Sequence, residues 1–392
     1  MKIENCKLKI GVNGYFLSRP FTGFGVYTNG YLQALQKIGD PQMFEFIVYT
    51  PEKPQQNYQL PIKIKVIPES KKYGASLGKI IWEQKYLPRE AKKDQVDLIH
   101  HYYPATVVFD KGIKQITSIH DATPWHFIEH NQGLKTKLFR KFTVWSNIKA
   151  DKIISVSEYG KNDVATMFGI PKDKIGYIYN GIDNSFRHQV TDSGKDRILQ
   201  KYHIPNRYIF YIGGFEVHKN VKRLFLAFAR VASEIKHNLI IAGGVFSKAR
   251  LDVYQDYFDL PKLIENYKLE KRVQLIGVVS NEDLPALFQS ADLFVMPSLA
   301  EGFNLPLVQA YASKVPTIAA DTIASREIAA GASLLVDGTN VEALGAAIAR
   351  LLNNKKKQNE LIATGLDRQR QFVWETSAQK LLEIYRRMLV DN

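Results

Sequence analysis

The sequence predicts an α/β protein built from two doubly wound, Rossmann-like domains, and three observations predict it. The chain has 392 residues, more than one ordinary hydrophobic core serves. Short β-rich apolar runs alternate with amphipathic stretches of helical period, the mark of βαβ units and a parallel sheet covered on both faces. The alternation breaks once, in the polar and aperiodic RHQVTDSGKD (187–196), and then restarts. We therefore expect domains over 1–190 and 191–375, with 376–392 as a final helix that crosses back onto the first domain.

In the first domain the strand candidates are KIGVNG (9–14), FIVYT (46–50), KIKVIP (63–68), DLIHHY (97–102), ITSIHD (116–121) and KIISVS (152–157). Helical stretches fall between them at 24–38, 76–93 and 132–149. After the break, strands are read at 208–214, 238–244, 273–279, 292–298, 317–321 and 333–337, with helices at 220–235, 281–291, 304–313 and 340–353. Two long helical patterns close the chain, 355–371 and 376–390, the last with Leu381, Leu382, Ile384, Tyr385 and Leu389 on one face.

Composition sets bounds. The chain is 45% hydrophobic and 23% charged, as soluble globular proteins are. Its apolar runs are far shorter than the ~20 residues that span a bilayer. MKIENCKLKI has no apolar core for a signal peptide, and one cysteine, Cys6, fits a reducing compartment; together they imply a cytoplasmic location. The net charge is +14, and residues 1–190 carry 27 Lys and Arg against 17 Asp and Glu. Nucleic acid, an anionic membrane or a phosphate-bearing substrate each suits that excess, as does a plain basic surface. No helix-turn-helix, zinc or RNP-like pattern accompanies the charge, so nucleic acid is not expected as a partner.

In open α/β sheets ligands bind beyond the carboxyl ends of the strands. Five such places carry suggestive residues. In NGYFLSRPFTGFGVYTNG (13–30), Gly23 and Gly25 precede a helix, serving either a close approach to an anion or tight packing. In SIHDATPWH (118–126), His120 suits hydrogen bonding or acid–base work, or fills space while Asp121 caps a turn. In ISVSEYGKND (154–163), Ser157 reads as a helix N-cap and Glu158 as a first-turn acid, and Asn180-Gly181 marks a turn. In YIGGFEVHKN (211–220), Lys219 and its neighbour His218 follow Gly213-Gly214 just before a helix, which is either a phosphate site or a solvated surface. In PSLAEGFNLPLVQA (297–310), a sharp turn after an apolar strand puts the amides of Gly302 to Leu305 at a helix start, with Glu301 before it and Gln309 about one turn inside.

Taken together, these segments resemble the retaining glycosyltransferases of the GT-B fold, in the large family called GT4 or group 1. EGFNLPLVQA resembles the family's E-x7-E motif, TGFGVYT its Gly-rich N-terminal loop and IHD its His-Asp element. SVSEYGKND, NGID and GGFEVHKN resemble three further elements in the family's order, so the resemblance covers nearly the whole chain. It implies two Rossmann-like domains facing across a cleft: an acceptor-binding first domain and a second that binds a nucleotide sugar. Lys219, with His218, would contact the donor diphosphate, Glu301 a sugar hydroxyl, and the amides of Phe303, Asn304 and Leu305 the sugar and phosphate. Gly302 and Gly214 belong to the same cradle, His120 would lie near the transferred sugar, and Gly23 and Gly25 near the diphosphate. Val278 would frame the base through its backbone. The roles of Lys219, Glu301 and His120 are read as catalytic.

Three departures qualify the match. Gln309 stands for the second glutamate, which in the family binds the ribose, and is a weaker, neutral acceptor. Asn304 stands for a common glycine, and Gly214 for a frequent arginine. No Asp-x-Asp occurs, and no His/Cys cluster has metal spacing, so neither a metal nor another cofactor is expected. The resemblance implies retention, and with no obvious nucleophilic carboxylate a front-face attack is favoured. We expect a hexose, with glucose as the first choice, to pass from a UDP-sugar to a saccharide or lipid-linked saccharide in polysaccharide or glycan synthesis. A binding protein of the same fold, disabled by Gln309, is the rival. A dehydrogenase is disfavoured by the missing third glycine. The segment GLKTKLFRKFTVWSNIKADK (133–152), with Lys135, Lys137, Arg140, Lys141, Lys149 and Lys152 beside Leu138, Phe139, Phe142, Val144 and Trp145, is either a solvated face or a peripheral contact with anionic membrane. Lys71, Lys72, Lys79 and Lys85 form a second basic cluster.

Overall fold

The computed structural model describes residues 7–19, 22–54, 56–69, 74–109, 112–127, 134–244 and 260–390. Cys6, Lys71, Lys72 and the Lys135 side chain lie outside the described residues. The chain divides into two compact units, Met1–Gly181 with Phe372–Asn392, and Ile182–Gln371.

The first unit holds a seven-stranded parallel sheet: β1 (Leu8–Asn13), β2 (Phe44–Thr50), β3 (Ile62–Val66), β4 (Leu98–His101), β5 (Lys114–Ser118), β6 (Lys152–Ser155) and β7 (Ile175–Tyr177), in the order β3-β2-β1-β4-β5-β6-β7. The second holds six: β8 (Tyr208–Ile212), β9 (Asn238–Ala242), β10 (Val273–Gly277), β11 (Leu293–Met296), β12 (Thr317–Ala320) and β13 (Leu334–Val336), in the order β10-β9-β8-β11-β12-β13. In each sheet the strand order runs outward from the first strand in both directions, so each has a topological switch point, at β1/β4 and at β8/β11. The central strands are dry on both faces: Ile10, Val12, Ile209, Phe210, Leu239, Ile240, Phe294 and Val295 have no exposed surface. Burying each such side chain stabilises the fold by roughly 1.5–3 kcal/mol.

Capping decides where helices begin. Thr22 accepts from the Gly25 amide to start helix Gly23–Ile38, and Ser157 accepts from the Gly160 amide to start Glu158–Phe168, the N-cap its sequence predicts. Gly169, at φ 64°, ends the latter in the left-handed region. The stretch expected as one helix over 76–93 is two, Gly74–Ile81 and Leu87–Lys93, joined by a π turn at Trp82–Tyr86. Pro88 cannot donate to a carbonyl one turn earlier, and the wider turn ahead of it absorbs the loss. It also seats Trp82, whose Nε1 donates to the Ile67 carbonyl at 2.7 Å.

The linker expected over 187–196 is corrected by the structure. Thr191 accepts from the Gly194 amide, and a helix runs Asp192–Lys201. The cap and first-turn acid that start it are polar, which is why the stretch reads as aperiodic. Gln289 holds the residues before it, accepting from the Val190 amide and donating to the His188 carbonyl. The division between units falls earlier, after Gly181.

The last helix, Trp374–Val390, belongs to the first unit. Trp374 packs on Tyr31 with ring centroids 5.2 Å apart, the Ser377 hydroxyl donates to the Tyr179 carbonyl at 2.6 Å, and the Tyr385 hydroxyl meets His100 Nδ1 at 2.7 Å. Gly30 and Gly181 make room for it: a Cβ on either would lie 2.2 Å from Trp374.

Candidate active site

In the second unit β8 runs into Gly213-Gly214 and a 3-10 turn, Val217–Lys219. Asn220 follows in the left-handed region, at φ 59°. Its buried side chain donates to the Pro297 carbonyl at 3.0 Å and to the Gly338 carbonyl at 2.7 Å. The His218 carbonyl accepts from the Leu299 amide at 2.7 Å. The loops that follow β8, β11 and β13 are thus tied by hydrogen bonds at one end of the sheet.

That tie brings Lys219 and Glu301 together across the β8/β11 switch point. Lys219 Nζ donates to Glu301 Oε1 at 2.8 Å, with both side chains mostly buried. Beneath them is Tyr211, whose hydroxyl donates to the Gly214 carbonyl. Burial, and then the charges of Glu301 and Glu216, hold that hydroxyl well above the usual phenol range, so it stays a donor. Gly213 and Gly214 are glycines for a packing reason: a Cβ would lie 2.5 Å from the Tyr211 hydroxyl and 1.9 Å from Glu216 Oε2 respectively.

After Glu301 the chain turns through buried Gly302 and Phe303 to Asn304, at φ 68°, and enters helix Leu305–Ala312. The first turn of a helix presents amides without intrahelical partners, and its positive end favours an anion. Gln309 is the fifth residue of this helix and partly exposed. Val278 sits at the end of β10, 52% exposed, with Cγ2 3.4 Å from where a Gly244 Cβ would be. In sheet order β10 is three strands from β11, so Val278 borders a separate part of the same sheet end.

The first unit carries His120, two residues past β5. Its ring packs against Phe24 and Tyr27, with centroids 4.9 and 4.6 Å away, so the helix begun at Gly23 is brought to the histidine. Nε2 is buried without a hydrogen-bond partner, and desolvation pushes the pKa down to about 4. His120 is therefore a neutral imidazole at physiological pH. Asp121 caps a turn, accepting from the Thr123 amide at 2.8 Å. A Cβ on Gly25 would lie 2.1 Å from the Arg19 carbonyl, so this glycine serves its own chain's packing, while the space around Gly23 is open.

Sequence reasoning passed over Asn220, Tyr211 and Glu216. Asn220 had a signal, since it ends the HKN of GGFEVHKN. Glu216 had none, because its place under Gly214 follows from the turn. Among the described residues no group of three or more His, Cys, Asp or Glu is placed to hold a metal ion, and no helix is long and apolar enough to cross a membrane.

Comparison with known proteins bears out the resemblance. The model of glycosyl transferases group 1 matches residues 195–368, and that of glycosyltransferase family 4 matches residues 22–186. O-antigen chain mannosyltransferase B of Escherichia coli is 27% identical over 303 residues, which cover 76% of each chain. Sucrose-phosphate synthase from Thermosynechococcus elongatus superposes with a TM-score of 0.79 at 17% identity, over 98% of this chain and all of that one. Anabaena HepE, in complex with UDP and glucose, gives a TM-score of 0.72 at 18% identity over 96% of this chain and 99% of that one. This chain belongs to the group 1 glycosyltransferases and has their GT-B fold of two Rossmann-like units.

Proposed function

We propose that this chain transfers a hexose from a UDP-sugar to a saccharide or lipid-linked saccharide, with retention at the anomeric carbon and without a metal ion. The observation that carries the reading is the Lys219–Glu301 pair at the β8/β11 switch point, beside the start of helix Leu305–Ala312. A departing nucleoside diphosphate gathers negative charge, and a fixed cation with helix-start amides stabilises it without reorganising. Lys219 takes the phosphates. Glu301 keeps Oε2 for a sugar hydroxyl while Oε1 holds the lysine. The role of His120 toward the sugar rests on the resemblance, and a neutral imidazole suits a hydrogen bond better than proton storage.

The UDP seen with HepE supports the base, and the sugar is supported as glucose by that complex and as mannose by the O-antigen relative's name. The same relative supports a saccharide acceptor in glycan synthesis. Calorimetric titration with UDP, GDP and ADP in EDTA, then with their hexose derivatives, tests the reading. Binding of UDP and of one UDP-hexose is expected. Absence of binding by every nucleotide would sink it in favour of a disabled donor site with Gln309 at fault. Turnover lost in chelator and restored by a divalent ion would refute metal independence, and an inverted product would refute retention.

Peripheral membrane contact is proposed for helix Leu134–Ile148. Leu138, Trp145 and Ile148 recur on one side of it and are 59%, 46% and 37% exposed, with Lys141 between them and no acidic residue in the helix. Apolar rings beside lysines suit an anionic lipid surface. Sedimentation with anionic vesicles at low salt is expected, and its absence would remove the proposal.

A further inference from the structure

We propose that the Asn304 side chain reads a hydroxyl of the transferred sugar, and so sets which hexose the site accepts. The inference rests on the donor-site reading above and deepens it. Asn304 is 4% exposed, yet neither Oδ1 nor Nδ2 has a hydrogen-bond partner within the chain. It stands at the N-cap position of helix Leu305–Ala312, but its side chain makes no capping bond.

Two explanations of an asparagine here must be separated. Its backbone is left-handed, at φ 68° and ψ 58°, and asparagine tolerates that region better than any residue but glycine. Conformation alone, however, is satisfied at least as well by glycine, which buries no polar group. Burying a whole amide with no partner in the chain is the costly choice, because each group gives up bonds it would make to bulk water. Buried polar groups in native proteins nearly always have a partner, in the protein, in ordered water or in a ligand. The strand before this loop ends in the same condition: the Ser298 hydroxyl is also buried and unpartnered, while Asn220, across the switch point, has its amide nitrogen fully used.

The chemistry of the missing partner follows from the amide. It offers one acceptor and one donor group side by side. A sugar hydroxyl both donates and accepts, and its position on the ring distinguishes one hexose from its epimer. A phosphate oxygen accepts only and would leave Oδ1 unpaired. The side chain three residues beyond Glu301 is therefore suited to the sugar, and the diphosphate is left to Lys219 and the backbone. A site built to pair with a hydroxyl rejects the epimer lacking it, because its own polar atoms then stay unpaired.

The test is Asn304→Gly, which keeps the left-handed backbone and removes the amide, with Asn304→Asp as a second variant that keeps the shape and Oδ1 but replaces the donor. UDP affinity and thermal stability of the Gly variant should stay near those of the unsubstituted chain. Affinity for the preferred UDP-hexose should fall about tenfold, and preference over its epimer should shrink by a similar factor. The Asp variant should lose part of that preference and also weaken UDP binding, through the charge it adds beside Glu301 and the diphosphate. If UDP and UDP-hexose affinities both stay unchanged in the Gly variant, Asn304 serves only backbone conformation and the inference is overturned. If both fall together with stability, the amide shapes the loop and the inference is again overturned. Failure of the unsubstituted chain to bind any nucleotide would overturn the donor reading itself, an outcome visible before either variant is made.

Discussion

The two switch points, alike in topology, are built of opposite chemistry. In the second unit the ends of β8 and β11 carry an ion pair, Lys219 with Glu301. In the first unit the ends of β1 and β4 carry a neutral pair, Asn13 with His101, whose Nδ2 and Nδ1 are 3.1 Å apart. Asn13 Oδ1 accepts from the Tyr15 amide and the Tyr103 hydroxyl, which fixes its amide nitrogen toward His101. His101 Nδ1 then accepts, and Nε2 donates to Gln115 Oε1 at 3.1 Å. Burial pushes His101 down to about 4, so the imidazole is neutral and fully bonded. The same strand order thus delivers an ion pair at the strand ends of one unit and a neutral pair in the other, where the nearest charges, Lys79 paired with Glu83, stand behind Tyr103. The topology chooses where chemistry sits, and the residues at the strand ends choose what it is.

Removing the cation is the strongest way to break that contrast. Lys219→Ala should cost about 10²–10³ in turnover, the range seen when a preorganised oxyanion donor is lost. Stability should fall too, by roughly 1–3 kcal/mol, because Glu301 is left without its cation in a mostly buried setting. Steady-state rates with saturating donor check the first statement and a thermal melt the second. Near-normal turnover would remove Lys219 from the diphosphate.

Acid should separate the units next. In the first, burial holds His100 well below its ordinary value, and His101 and His120 near 4. Unfolded histidines titrate near 6.5. Above that pH neither state is charged, and folding costs nothing on this account. Between about 6.5 and 4 the unfolded chain binds protons that the native one refuses, so stability falls as pH falls. At one pKa unit per 1.36 kcal/mol, the full loss is of the order of a few kcal/mol per histidine. In the second unit His237 is shifted the same way, but Asp292 opposes the shift. Hydrogen exchange at pH 7.5 and 5, corrected for intrinsic rate, should show β4 and β5 losing protection before β8 and β11. Equal losses would mean that the histidines are not the acid-sensitive element.

Much of this contrast was legible in the residues. Every strand named from hydrophobic runs is present, because both sheets are buried on two faces and their strands read as continuous apolar segments. Lys219 and Glu301 were found because glycine turns and helix starts follow strands in a recognisable order. The neutral partner pair was not found. His100 and His101 looked like the end of a strand, and nothing local says that Asn13, Gln115 and Tyr385 close around them from sites distant in sequence. Glu216 escaped for the same reason. The linker was misplaced because an N-cap and its acidic first turn look like loop when counted by polarity. Local grammar reveals elements and their ends, while desolvation and long-range bonding, which set protonation, appear only with the packing.

The smallest expected effect concerns Gln309, one of the positions where the charged site departs from the pattern it resembles. Gln309 lies one turn inside helix Leu305–Ala312, where a carboxylate would bond ribose hydroxyls with charge assistance. Gln309→Glu should therefore tighten UDP binding by about three- to tenfold, roughly 0.7–1.4 kcal/mol. It should lower KM and leave kcat unchanged, because a ribose contact is made equally in the ground and transition states. Opposing it is repulsion between the new charge, Glu301 and the diphosphate. Lys219 and the helix-start amides carry the compensating charge. Calorimetry of the variant with UDP decides between the two. Unchanged or weaker binding would place the ribose elsewhere, and Gln309 would then be no weakened glutamate but a residue of a differently occupied site.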